Sequence, residues 1–122
     1  MKFRLIPLLL LGSSAFALVL QEISFDEKVK RAEVVLIGVV EQAQPHARDF
    51  KQEFAQVRVE SVLKGKAPDI IQLETYGSVA EESVVVTAGH RYIFLLKSFH
   101  GVYVSVNGRF GVIPVDAKSV PP

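Results

Sequence analysis

Two stretches of this 122-residue chain are apolar on both faces of an extended backbone, and an element of that kind must be covered twice. Residues 33 to 42 read Glu-Val-Val-Leu-Ile-Gly-Val-Val-Glu-Gln, and residues 90 to 98 gather Tyr92, Ile93, Phe94, Leu95 and Leu96 into one run. β-branched and aromatic side chains suit a pleated strand. Continuous rather than alternating apolarity fits a strand buried on both sides. The second run is expected at the centre of the fold, with Phe94 and Leu95 pointing in opposite directions and both buried. Gly38, in the middle of the first run, marks a predicted bend where a strand can coil without a side chain in the way.

The remaining segments alternate. Over residues 54 to 63, Ala55, Val57 and Val59 fall on one face and Gln56, Arg58 and Glu60 on the other, a strand with one wet face. After the turn Lys64-Gly65-Lys66-Ala67-Pro68, residues 70 to 76 repeat the pattern, with Ile71, Leu73 and Thr75 inward and Gln72 and Glu74 outward. Residues 101 to 106 predict a partner strand for the central run. Asn107-Gly108 tolerates the positive φ angles of a type I′ hairpin, and Pro114 confines the last short strand to an edge. Ahead of all this, Ser24-Phe25-Asp26-Glu27 has the form of a capping box and predicts a short helix over residues 25 to 32. Phe25, Val29 and Ala32 would face inward there, and Asp26, Lys28, Lys30 and Arg31 would face water. Five principal strands, short extras and one early helix predict an all-β fold with one short N-terminal helix, and the strand number suits a small closed or partly open barrel.

Lys2 and Arg4, the apolar run from Leu5 to Leu11, and Ala15-Phe16-Ala17 stand in the order of a signal peptide, so residues 1 to 17 are expected to be a cleaved leader and 18 to 122 one domain. The apolar run falls far short of the roughly 20 residues that span a hydrocarbon core, so no stable membrane insertion is expected after cleavage. Removing 17 of 122 residues leaves 105. Losing Lys2 and Arg4 turns 14 basic residues into 12 against 13 acidic, a formal charge of −1. No net basic field remains to attract nucleic acid. The chain has no cysteine, which excludes disulfides, thiolate catalysis and zinc fingers. With 49% hydrophobic residues, packing alone must hold it together.

The order of the helix, Glu33-Val34-Val35-Leu36-Ile37-Gly38-Val39-Val40, Val57-Arg58-Val59-Glu60-Ser61-Val62-Leu63-Lys64-Gly65 and Ala88-Gly89-His90-Arg91-Tyr92-Ile93-Phe94-Leu95 resembles the netrin-type (NTR) module. That module is shared by tissue inhibitors of metalloproteinases, netrins and some complement proteins, and the chain is similar too to exported bacterial proteins of this kind. The resemblance covers roughly residues 24 to 115 and implies a small five-stranded OB-like Greek-key barrel. It does not imply the inhibitors' mechanism. Those proteins present an N-terminal cysteine, fixed by disulfides, to the protease zinc, whereas the expected mature N-terminus here is Leu18.

Candidate chemistry is sparse. His46, His90 and His100 could in principle share a metal, but no recognised ligand spacing relates them. His46 and Asp49 would need a helix where Pro45 predicts a loop. Ser78, His90 and Asp69 supply the residue types of a hydrolase triad without a G-x-S-x-G elbow. Glu74, Glu81 and Glu82 read as solvated carboxylates rather than an acid and base pair. Asn107-Gly108-Arg109-Phe110-Gly111 reads as a hairpin rather than a phosphate loop. Arg58, Arg91, Tyr92 and Tyr103 are the best basic and aromatic set for single-stranded nucleic acid, and the charge balance argues against that use. No residue is therefore assigned a catalytic, cofactor-binding or metal-binding role. The expectation is a secreted or periplasmic, non-enzymatic interaction module for another protein or an envelope component, with residues 42 to 52 and 76 to 88 as the loops that carry contacts. The alternative is a small secreted hydrolase or metal-dependent enzyme.

Overall fold

The double covering that the two apolar runs demand comes from a barrel interior on one side and a short helix on the other. The structure is a computed structural model that describes residues 20–44, 52–77 and 83–115. The expected leader, residues 1–17, lies outside the described residues, as do His46, Asp49, Ser78, Glu81 and Glu82. The elements in chain order are α1 (Phe25–Arg31), β1 (Val34–Ala43), β2 (Glu53–Lys64), β3 (Ile70–Tyr76), β4 (Arg91–Phe99), β5 (Val102–Ser105), a 3-10 turn (Gly108–Gly111) and β6 (Val112–Pro114).

The strands follow the order β1-β2-β3-β5-β4, and β1 pairs again with β4, which closes a five-stranded barrel. The β3–β5 pairing is parallel and the others are antiparallel. Among the described residues the fold is thus all-β with one short N-terminal helix, a small OB-like Greek-key barrel, as the sequence predicts. β6 adds to β4 beyond the closed ring, with Pro114 opposite Tyr92.

β1 and β4 run antiparallel with Leu36 opposite Phe94 and Val35 opposite Leu95. Leu36 and Phe94 point into the barrel with Val40, Val57, Leu73 and Leu96, all fully buried. Val35 and Leu95 point outward, where Ala32 and Val106 complete a second buried cluster and Val29 of α1 packs against it. Phe94 and Leu95 are both 0% exposed. Burying a side chain of this size contributes on the order of 1.5–3 kcal/mol, so both faces of β4 are strongly committed. Gly38 sits where the β1–β2 register shifts, and a Cβ there would come within 2.6 Å of Val57 Cγ1 and 2.9 Å of the Arg58 carbonyl. The barrel bends at that point because the two backbones approach too closely for a side chain.

Ser24 caps α1, its Oγ accepting from the Glu27 N–H at 3.1 Å. The Glu27 carboxylate pairs with Arg31 one turn on at 3.0 Å. At the other end Lys64 Nζ donates to the Val29 and Ala32 carbonyls, at 2.8 and 2.7 Å. A cation there satisfies carbonyls that the ended helix leaves open. The inward and outward faces of α1 differ from expectation at two residues. Phe25 is 51% exposed, whereas Lys28 is buried, its Nζ donating to Glu22 at 2.7 Å and lying 5.8 Å from the Phe110 ring centre. A long alkyl stem and a nearby carboxylate let a lysine occupy a position that helical periodicity gave to solvent.

The Asn107-Gly108 hairpin is also corrected. Both residues have the expected positive φ, 65° and 58°, but they open the 3-10 turn and do not reverse the chain. β5 and β6 lie along the same edge of β4: Ser105 opposes Leu96 and Val112 opposes Phe94, so seven steps on one side answer two on the other. The dipeptide specifies backbone angles and leaves open which strands meet. Asn107 also clamps the segment before α1, its Oδ1 accepting from the Ile23 N–H and its Nδ2 donating to the Gln21 carbonyl, both at 2.9 Å.

Candidate functional site

Strand register brings three glutamines into one row on the outer surface. Gln42 of β1 opposes Gln56 of β2, and Gln56 opposes Gln72 of β3. Alternation sends Ala55, Ile71 and Leu73, the neighbours of Gln56 and Gln72, into the core, so those two amides point outward; the register shift between Val40 and Gln42 brings Gln42 onto the same face opposite Gln56. The next row towards the end of the barrel holds Phe54 beside Glu74, and the Phe54 N–H donates to Gln44 Oε1 at 2.7 Å. Gln42, Ala43, Gln44, Phe54, Gln56 and Gln72 line an open groove of about 410 Å³. Among the described residues its lining is uncharged: four amides, one aromatic ring and one methyl.

Glu74 overturns its expected exposure. It is fully buried, with Oε2 accepting from Gln52 Nε2 at 2.8 Å. Gly77 closes over it so tightly that a side chain there would collide with the carboxylate. Among the described residues its other oxygen has no hydrogen-bond partner. The alternation of β3 placed Glu74 on the outer face correctly; what covers it comes from Gln52, just before β2, and from Gly77, just after β3, which periodicity does not see.

On the other side of the glutamine row lies a charged lattice. Arg58 and Arg91 both oppose Val39, one from β2 and one from β4. Arg58 Nε donates to Glu41 at 3.0 Å, and Arg91 engages both carboxylate oxygens of Glu60, at 2.7 and 3.2 Å. Gln56 Nε2 also donates to Glu41, at 3.1 Å. The hydrogen bond from Arg91 holds the Glu60 carboxyl below its usual range; desolvation opposes this, and the charges of Arg91 and then Arg58 add to it. Arg91 is correspondingly raised, first by that hydrogen bond and then by the charge of Glu60. All four groups are substantially solvated, so the lattice orders the surface more than it stabilises the fold.

The other candidates separate. His90 precedes β4 and His100 follows it, so the strand between them sets them roughly 30 Å apart. Asp69 precedes β3, and the row Ile70, Arg58, Val39, Arg91 puts two intervening strands between the start of β3 and the start of β4, which His90 precedes. Among the described residues no group of three or more His, Asp or Glu is placed to hold a metal ion. Of the basic and aromatic set, Arg58 and Arg91 are held by carboxylates. Tyr92 is buried, its hydroxyl accepting from the Thr87 N–H at 2.9 Å, and Tyr103 packs against the interior cluster. The segment after β3, expected to be a polar loop, instead sends Val84 into the core, with its N–H on the Thr75 carbonyl at 2.9 Å. No helix among the described residues is long and apolar enough to cross a membrane.

The glutamine row was half legible. Gln56 and Gln72 fall on wet faces by alternation alone, but only register aligns them with each other and with Gln42. No family model matches the chain, and no curated protein matches it.

Proposed function

We propose that the chain is an exported, non-enzymatic binding module, secreted or periplasmic, that contacts another protein or an envelope component. The observation that carries this reading is the row Gln42, Gln56, Gln72 beside Phe54, hydrogen-bonding side chains aligned by strand register on the outside of a closed, well-packed barrel. Export is supported by Lys2, Arg4, the run from Leu5 to Leu11 and Ala15-Phe16-Ala17. The barrel order and the helix before it support the netrin-type resemblance, with the inhibitors' cysteine chemistry left out because the chain has no cysteine.

Co-sedimentation of the secreted protein with the envelope fraction of the cells that make it tests the reading. The wild type is expected in the pellet and the Gln42→Ala/Gln72→Ala double variant in the supernatant. Equal sedimentation of the two would move the binding surface elsewhere, and none by the wild type would overturn the envelope reading. Intact mass of protein recovered outside the cytoplasm is expected to begin at Leu18; a retained Met1 would remove export.

A further inference from the structure

We propose that the cleft between the end of α1 and the β4–β5 hairpin receives the C-terminal residue of a partner polypeptide, its carboxylate on Arg31 and Lys97 and its apolar side chain on Val104 and Phe99. The cleft lies apart from the glutamine row and goes beyond the reading above. Register builds its floor. Leu95 points outward under α1, so Lys97 and Phe99 leave β4 on the same face, with Val104 and Val102 opposite them on β5. The helix stops at Arg31, and its cover stops there too: Leu95 is 0% exposed, whereas Phe99 is 45% exposed. The turn His100-Gly101, with φ of 50° and 86°, closes the hairpin, and the His100 ring meets Phe99 edge-on with 4.3 Å between centres. Between this floor and the side chains of Arg31 and Glu33 lies a cavity of about 240 Å³.

Its charges leave room for one anion. Among the described residues Arg31 gives only its Nε, to Glu27 at 3.0 Å in an exposed pair, and Lys97 has neither a hydrogen bond nor an ion pair. Glu33 is the one carboxylate among the described residues of the lining, and its Oε1 is taken by the Ser98 N–H at 2.8 Å. A ligand with several anionic groups would bring the second against Glu33, and a cationic ligand would meet Arg31 and Lys97. A peptide segment passing through in extended form would pair with the edge of β4 beyond Leu96 on the β1 side. There the Ser98 N–H is already spent on Glu33. A chain end needs no strand edge, and capture of a C-terminal carboxylate is a recurring mode of peptide recognition. The size agrees, since about 240 Å³ falls below the roughly 300–1,000 Å³ of pockets for drug-sized ligands and suits one terminal residue.

¹H–¹⁵N spectra of the secreted protein test this by titration, to millimolar concentration, with acetylated tetrapeptides ending in valine, leucine or phenylalanine. Each peptide is supplied as the free acid and as the carboxamide, and N-acetyl-leucine is titrated beside them. A free acid is expected to shift the backbone signals of Arg31, Glu33, Lys97, Ser98 and Phe99, and its carboxamide to bind about tenfold more weakly. Lys97→Met, which keeps an unbranched stem, should weaken the acid about tenfold and Phe99→Ala about fivefold, with the rest of the spectrum in place. Gln42→Ala/Gln72→Ala should bind it as the wild type does, so the cleft and the glutamine row fail or stand separately. Equal binding of acid and carboxamide, equal binding by Lys97→Met, shifts confined to other surfaces, or no peptide bound would overturn the assignment. So would loss of binding in the glutamine double variant. N-acetyl-leucine binding as tightly as the best tetrapeptide would make the cleft a site for small free acids and overturn the polypeptide as its ligand.

Discussion

One strand carries two opposite finishes of the barrel's outer surface. Near its start β1 turns Val35 outward under α1, where Leu95, Val106 and Ala32 bury it to 4% exposure. Ile37 and Val39 are half-buried, and beyond them the same face becomes Glu41 and Gln42 in solvent. The interior face does not change over that length, with Leu36 and Val40 both fully buried. The difference shows that the interior fixes the fold everywhere, and that the outer face is free to vary wherever no helix covers it. A surface kept polar yet ordered on such a strand is where binding can be built without cost to the core.

The largest test of that division is on β4. Phe94→Ala should cost about 3–5 kcal/mol and Leu95→Ala about 2–5 kcal/mol in denaturant melts, because each leaves a cavity on its own side of the strand. A large loss for Phe94 with almost none for Leu95 would mean that the helix-covered cluster is not a true second core, and the contrast with the glutamine face would disappear.

The clamp that feeds α1 onto the barrel comes next. Asn107→Gly keeps the positive φ that this position needs while deleting both hydrogen bonds to the Gln21 and Ile23 backbone. A loss of about 1–3 kcal/mol is expected, with faster amide exchange confined to residues 20–32. Exchange rising equally throughout the barrel would show that the segment before α1 is part of the central cooperative unit and not a cover laid over it.

How far the sequence revealed this arrangement depends on whether a residue's environment is made by its own strand. Period-two alternation placed Ala55, Val57, Ile71 and Leu73 inside because a pleated strand imposes that alternation by itself. Continuous apolarity placed Phe94 and Leu95 in two different clusters for the same reason. Glu74 and Lys28 were misread because Gln52, Gly77, Glu22 and Phe110 cover them from elsewhere in the chain. The 3-10 turn was misread because Asn107-Gly108 encodes dihedral angles and not strand partners. The candidate site lies between these cases: Gln56 and Gln72 are outward by alternation, whereas Gln42, which alternation after Leu36 and Val40 would send inward, is turned outward by the register shift between Val40 and Gln42, and the alignment of all three is a property of register.

On the open face the expected effect on stability is small. Gln72→Ala should leave folding free energy within about 0.5 kcal/mol, since it removes an exposed side chain that has no hydrogen-bonded partner among the described residues. A larger loss would mean that the row is structural, and its polarity would then need no ligand to explain it.

The smallest effect belongs to the lattice beside that row. Because Arg91 and its hydrogen bond hold Glu60 below the usual carboxylate range in the folded state, the folded protein binds that proton less readily than the unfolded chain. The pair's contribution is therefore present above the usual carboxylate range and is lost as pH falls through the folded value. Arg91, raised in turn, keeps its charge at any working pH. The stability difference between the wild type and Glu60→Gln should accordingly be flat from about pH 6 to about pH 9 and shrink under acid. Added salt should reduce it as well, because the groups are solvated and screened. A difference that persisted undiminished into acid would mean that Glu60 is held by something other than the charge of Arg91. A difference as large as that of Leu95→Ala would erase the distinction between a covered face that stabilises the barrel and an open one that is free to bind.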